Sequence, residues 1–155
     1  MKSSPAAITE ILSALGRTPV ALGEYAAGCT TEEFTRKADR SAWSAQDVMA
    51  HLRACADLWT HSIYAMLAEP DPVLPDINER KYARAARYAE VPFLAALESF
   101  HAGRENLLRV LHALPATDWE RGAVILGRRH TVFTQARRMA KHEAVHVEQT
   151  AGLLK

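Results

Sequence analysis

The stretch WSAQDVMAHL, residues 43–52, carries the strongest helix-start signal in the chain. Ser44 can cap free backbone N–H groups, and Asp47, three residues later, completes a pattern close to a capping box. Trp43 before the cap and Val48 at the fourth helical position can form a hydrophobic staple. Apolar residues then recur at helical spacing: Val48, Leu52, Cys55, Trp59, Ile63 and Met66. We therefore predict a long helix that ends before the proline-rich segment EPDPVLPD, residues 69–76.

Three other segments have the length and periodicity of long helices. The first contains the apolar positions Ile8 to Leu15, and Gly16 and Pro19 either kink or split it. A short turn follows, in which Thr30 and Glu33 can form a capping box. The third long helix has Pro92 in its first turn and an apolar line of Phe93, Leu97, Phe100, Leu107 and Leu111. The fourth begins near Thr131 and runs almost to Lys155.

The connections complete the predicted fold. The segment 77–90 favours a short helix, and 120–131 is either an irregular crossover or a short hairpin turning near Gly127. No alternating strand pattern occurs elsewhere. We predict an all-α four-helix bundle forming a single domain over residues 1–155, with room for a crossover between helices two and three.

Composition limits the function classes. The formal net charge is +1, so no strong overall field attracts nucleic acid or an anionic membrane, and the basic segments GRRHT and QARRMAK lack a recognition motif. Cys29 and Cys55 form no disulfide framework and no CxxC pair. The N-terminus lacks the apolar core of a signal peptide, and no run is long enough to span a membrane. We expect a cytoplasmic protein.

Two histidines near the C-terminus have metal-ligand spacing. His142 and His146 are four residues apart and so share one helix face. Residues 142–146 formally match H-E-x-x-H, in which two histidines bind zinc and the glutamate acts as general base. No histidine follows His146, so a third histidine ligand must come from another helix.

His51 is the best candidate for that third ligand. It lies beside Leu52, on or near the buried face of the second helix, where an unpaired imidazole is costly. A shared metal would satisfy it, and a backbone carbonyl or a carboxylate is the alternative. We expect surface or structural roles for the other histidines: His61, His101, His112 and His130.

Three more residues are candidates for roles around the site. Glu143 points about 100° away from His142, which favours a surface or supporting role over that of a base. Gln149 can hydrogen-bond a ligand or substrate, or be an ordinary polar residue at the bundle edge. Arg104 can lie over the mouth and bind an anionic substrate, or form an exposed salt bridge.

Taken together, WSAQDVMAHL and HEAVHVEQ resemble the DinB/YfiT-like superfamily of metal-dependent proteins. TPVAL, RAARYAE, the Phe100-x-x-x-Arg104 pair and LPATDW add to the resemblance over most of the chain. The resemblance implies an up-down-down-up bundle and a divalent metal held by His51, His142 and His146. Family members include transferases that use bacillithiol or mycothiol and a mycothiol-dependent maleylpyruvate isomerase.

The leading hypothesis is therefore a metalloenzyme acting on a small molecule, most simply a thiol-dependent transferase or isomerase, with a hydrolase as the alternative enzyme class. Three imidazoles suit Zn²⁺, with Ni²⁺ and Fe²⁺ as alternatives, and leave coordination positions open for water, substrate or a low-molecular-weight thiol. The competing hypothesis is a non-catalytic metal- or ligand-binding module of a stress response. A homodimer is compatible with either.

Overall fold

Four long helices form the body of the protein in the computed structural model, which describes residues 3–155. They are α1 (Pro5–Ala26), α3 (Ala45–Ala68), α5 (Phe93–His112) and α6 (Val132–Leu153). The predicted all-α bundle is confirmed. Met1 and Lys2, the first two residues of the predicted domain, lie outside the described residues.

Shorter elements connect the long helices. Helix α2 (Thr31–Thr35) precedes α3, and helix α4 (Glu79–Ala85) lies between α3 and α5. Two 3-10 helices cover Tyr88–Glu90 and Ala116–Glu120. Among the described residues, no helix combines the length and the apolar character needed to cross a bilayer.

The predicted helix starts are confirmed by the capping contacts. Ser44 Oγ accepts a hydrogen bond from the Asp47 backbone N–H at 3.1 Å, and Asp47 Oδ2 accepts one from the Ser44 N–H at 2.9 Å. Thr30 and Glu33 form the second predicted capping box, at the start of α2. These reciprocal bonds satisfy N–H groups that have no partner within the helix. They fix where α3, the helix that carries His51, begins.

Helix α1 continues through Pro19 without splitting. Thr18 and Pro19 are buried against the other helices, and Leu15 and Leu22 on either side are fully buried. A proline inside a helix costs about 3 kcal/mol. Burial of a leucine side chain contributes about 1.5–3 kcal/mol, so the packing of this face offsets the missing hydrogen bond.

A small sheet joins two of the connections. Strand β2 (Gly122–Ile125) pairs antiparallel with β3 (Arg128–Thr131), and Leu126 and Gly127 form the turn with positive φ angles of 51° and 69°. This confirms the hairpin alternative. Strand β1 (Val73–Leu74) pairs parallel with β2, inside a segment predicted to be a loop. The sequence could not show this strand, because two residues are too few for an alternating pattern.

The core shows how the long helices run. One apolar cluster joins the N-terminal halves of α1 and α6 to the C-terminal halves of α3 and α5. The other joins the opposite halves. Helices α1 and α6 therefore run in one direction and α3 and α5 in the other. Helices α1 and α3 each pack against both α5 and α6, which leaves α5 and α6 on a diagonal.

Candidate metal centre

Three histidine side chains meet between α3 and α6. His51 Nε2 lies 3.0 Å from His142 Nε2, and His142 Nε2 lies 3.1 Å from His146 Nε2. One ring nitrogen of each residue lies within 4.8 Å of the other two. The pair on α6 is close because residues four apart share a helix face. The third residue is brought to it by the packing of α3 on α6.

Two tryptophans pack against this histidine cluster (His51, His142 and His146). The Trp43 ring centre lies 5.2 Å from that of His51 and 6.3 Å from that of His146. The Trp59 ring meets the His142 ring edge to face, with ring centres 4.9 Å apart. Aromatic packing on both sides restricts the rotation of the imidazoles. The two tryptophans therefore limit the orientations that the three imidazoles can adopt.

Burial favours the neutral form of two members of the cluster, His142 and His51. Burial, together with the neighbouring imidazoles of His146 and His51, lowers the pKa of His142 to about 4. Burial is also the main cause of the lowered pKa of His51, with His146 contributing. At neutral pH both rings are therefore uncharged. Only the neutral form of imidazole has a lone pair free to bind a metal.

The contacts among the rings fit a cation better than they fit hydrogen bonds. A neutral imidazole has one donor and one acceptor nitrogen. His142 Nε2 faces two other ring nitrogens at hydrogen-bond distance, and its Nδ1 is buried with no hydrogen-bond partner among residues 3–155. One lone pair cannot bond both neighbours. A divalent ion bound by all three nitrogens satisfies each of them, and imidazole is a preferred ligand of such ions.

Gln149 orients one member of the cluster. Its Oε1 lies 2.8 Å from His146 Nδ1. An amide oxygen only accepts, so Nδ1 carries the proton and the Nε2 lone pair faces the cluster. Such partners fix the tautomer and ring orientation of a metal-binding histidine. Gln149 therefore contacts a member of the histidine cluster, and a contact between Gln149 and a substrate stays a prediction.

Arg104 and Glu143 occupy positions that differ from the predictions. Arg104 does not lie over the mouth, and neither residue is at the surface, because their side chains are each 2% exposed. The Arg104 guanidinium donates to Glu143 Oε1 across the diagonal between α5 and α6. Burial raises the pKa of Glu143, although the contact with Arg104 opposes that rise. Burial of the pair depends on how α5 faces α6, which spacing along the chain does not reveal.

Cys55 is the residue near the cluster that the sequence reasoning missed. Its Sγ lies 3.6 Å from His51 Nε2 and 4.0 Å from His142 Nε2. Burial raises the pKa of this thiol to about 12. The sulfur is not part of the group whose ligand atoms all lie within 4.8 Å of one another. The missed signal was the spacing of four residues from His51, which puts both side chains on one face.

One cleft reaches the cluster through His51, and a second, smaller cleft lies beside Trp59, which packs against His142. The larger, of about 320 Å³, is lined by His51 and Trp43 and by Arg80 from α4. The smaller, of about 70 Å³, is lined by Trp59 and by Glu79, the residue next to Arg80. The start of α4 therefore lies between the two clefts. The other four histidines lie outside the cluster, with His61, His101 and His112 exposed and His130 partly buried.

The fold and this cluster define a four-helix bundle with a three-histidine centre of metal-binding type. The model of the DinB superfamily matches residues 14–150, so the chain belongs to that superfamily. A similar solved structure is YfiT from Bacillus subtilis, described as "a probable metal-dependent hydrolase with an unusual four-helix bundle topology". It shares 14% identity at a TM-score of 0.87, over 98% of this chain and 88% of YfiT. At that identity the likeness shows the fold. No curated protein matches the chain.

Proposed function

We propose that the protein is a divalent-metal-dependent enzyme that joins a low-molecular-weight thiol to a small electrophilic molecule, by transfer or as a step of an isomerisation. The observation that carries the proposal is the convergence of three ring nitrogens at the edge of a cleft. Membership of a superfamily with thiol-dependent transferases supports the reaction class. Zn²⁺ is the first candidate for the metal, and Ni²⁺ and Fe²⁺ have suitable ligand preferences.

His51, His142 and His146 would hold the ion. When bound, it supplies a Lewis acid that favours the thiolate form of a thiol or the hydroxide form of water. Gln149 keeps the His146 tautomer in which Nε2 is the ligand atom. Trp43 and Trp59 hold the rings and exclude water from their faces. In the transfer, a sulfur–carbon bond forms as the bond to the leaving group breaks, and the leaving group takes the thiol proton.

The structure argues against peptide hydrolysis through the H-E-x-x-H pattern. Its base would be Glu143, but that carboxylate is buried and contacts Arg104, on a different face of α6 from the histidines. A general base must be within hydrogen-bond reach of the proton it removes. The strand next to the smaller cleft, β1, is also only two residues long, too short an edge for an extended peptide. Small molecules are the better substrates for this site.

Hydrolysis of a small molecule is the second candidate reaction. It is favoured by the likeness to YfiT, which is described as a probable metal-dependent hydrolase. Both reactions use the same three histidines and differ in the nucleophile. The two reactions can therefore be distinguished by measuring whether turnover depends on added thiol.

The test is a panel of low-molecular-weight thiols and electrophilic acceptors, with protein purified without a histidine tag. We expect turnover that requires both metal and thiol. It should be lost on metal removal and restored by adding back Zn²⁺, Ni²⁺ or Fe²⁺. Turnover that is independent of thiol would favour hydrolysis, and metal-independent turnover would contradict both reactions. A metal-loaded protein inert towards the whole panel would favour the non-catalytic binding module.

A further inference from the structure

The larger cleft beside the histidine cluster has an uneven charge distribution. Basic side chains line it from two directions, with Lys37 and Arg40 before α3 and Arg80 and Arg84 on α4. Asp47 is the only carboxylate among the lining residues. Glu79 is also close enough to influence His51, but it lines the smaller cleft. The cleft thus has four cations and one anion in a chain whose net charge is only +1.

Asp47 is already occupied by local contacts. Its Oδ2 lies 2.6 Å from Lys37 Nζ and accepts hydrogen bonds from the Ser44 backbone N–H and hydroxyl. Hydrogen bonding and Lys37 lower its pKa despite burial, which raises it. The Asp47 charge therefore compensates Lys37 and the helix start. It leaves the three guanidinium groups of the cleft uncompensated.

Those three groups, on Arg40, Arg80 and Arg84, form no ion pair with any of residues 3–155. Other nearby arginines are engaged, since Arg87 pairs with Glu90 and Arg53 lies over the Tyr88 ring. Arg80 and Arg84 are also four residues apart on the seven-residue helix α4. Like charges at that spacing slightly destabilise a helix. The arrangement thus disfavours α4 slightly and concentrates positive charge in the cleft.

Trp43 connects these cations to the candidate metal centre. The Arg80 guanidinium carbon lies 5.5 Å from the Trp43 ring centre, and the same ring packs against His51 and His146. The Trp43 side chain thus lies between Arg80 and the histidine cluster. A small molecule in the cleft can reach both, because His51 is itself one of the lining residues.

We propose that the substrate is an anion whose carboxylate or phosphate group binds Arg40, Arg80 and Arg84 while its reactive carbon faces the histidine cluster. This inference rests on the proposed function for the reaction, but the anion site itself does not depend on it. Guanidinium groups suit both anions, since their planar fork pairs with two oxygens at once. Trp43 would contact the apolar part of the same molecule.

The test uses malonate and inorganic phosphate as anionic probes and malonamide as the neutral analogue of malonate. Binding is followed by calorimetry and by tryptophan fluorescence, with metal-loaded and metal-stripped protein. The key variant is Arg80→Gln/Arg84→Gln. The control, Arg109→Gln/Arg128→Gln, removes the same charge from exposed positions that do not line the cleft. Circular dichroism and metal content show that each variant is folded and loaded.

We expect the wild type and the control to bind both malonate and phosphate, and to bind malonamide at least tenfold more weakly than malonate. The cleft variant should lose about tenfold in anion affinity in both metal-loaded and metal-stripped protein. Equal anion affinity in the cleft and control variants would overturn the inference, as would equal binding of malonate and malonamide. An anion that binds only the metal-loaded form, with no dependence on Arg80 and Arg84, binds the ion itself and also overturns it.

The two proposals fail in different ways. A protein that holds no metal but binds anions through Arg80 and Arg84 would contradict the proposed function and leave the anion site standing. A protein that holds metal and turns over thiols, but binds anions equally well in the cleft and control variants, would contradict only the anion site.

Discussion

His142 and Glu143 are neighbours in the chain but belong to two different polar sites, a histidine cluster beside a cleft and a buried ion pair. His142 faces α3 and joins the histidine cluster. Glu143 points to the diagonal helix α5 and forms a closed ion pair with Arg104 in the bundle interior. The rotation of about 100° per residue sends the two side chains to different interfaces.

The difference shows how one short motif is divided between function and architecture. The cluster has ring nitrogens that face one another and a cleft through which a ligand can enter. The ion pair is 2% exposed, and the cleft that Arg104 lines, between α3 and α5, is lined by none of the three histidines. A buried ion pair does not by itself stabilise a fold relative to apolar residues, but it can specify which helices face each other. We assign it an architectural role, that of specifying that α5 and α6 face each other across the bundle.

Breaking the cluster should have the largest effect. His51→Ala, His142→Ala or His146→Ala should each lower metal affinity by more than about 100-fold, since losing a supporting hydrogen bond alone costs 10–100-fold. Metal analysis and competition with a chelator measure the change. His61→Ala is the control, because it removes an exposed histidine of the same helix outside the cluster. Equal losses in His61→Ala would show that the cluster is not the site.

Breaking the ion pair should destabilise the fold and spare the metal. Glu143→Leu leaves the Arg104 charge buried and unpaired, so we expect a loss of about 3–5 kcal/mol in the free energy of unfolding in urea. Arg104→Met/Glu143→Leu should lose less than Glu143→Leu alone, because no unpaired charge remains. Glu98→Gln, at an exposed position of α5, should stay within about 0.5 kcal/mol of the wild type. Loss of metal from folded Glu143→Leu would contradict the separation of roles.

Lowering the pH should reduce the stability of metal-stripped protein through protonation of His142 in the histidine cluster. The pKa of His142 is lowered to about 4 in the folded chain, against about 6.5 in the unfolded chain. Between these values the unfolded state binds more protons, so stability falls as pH drops from about 6.5 towards 4. The full effect approaches about 3 kcal/mol. His142→Gln should flatten this part of the curve of unfolding free energy against pH. An unchanged slope in that variant would assign the dependence to other groups.

Removing the hydrogen bond that orients His146 should have the smallest effect on metal affinity. Gln149→Ala removes the acceptor of the His146 Nδ1 proton, so metal affinity should fall by about tenfold. Gln149 is exposed, and its loss should leave the urea midpoint unchanged. Gln149→Glu, which retains an acceptor oxygen, should restore most of the affinity. Unchanged affinity in Gln149→Ala would mean that the tautomer is fixed without this contact.

Much of the fold was predictable because its signals are local. The start of α3 follows from Ser44 and Asp47, whose hydrogen bonds reach only three residues along the chain. The pair on α6 follows from the geometry of a single helix. The paired strand β1 was not predictable, since its two residues gain their conformation from β2, about 50 residues away.

The sequence by itself determined the four long helices, the shared face of His142 and His146, and the inward face that carries His51. Each depends on hydrogen bonds or side-chain directions within one turn of the chain. The tertiary structure alone decided that Arg104 and Glu143 are buried together, and that Arg80 and Arg84 face the cleft at His51. These placements depend on how separate helices pack, and packing energy is summed over surfaces distant in sequence.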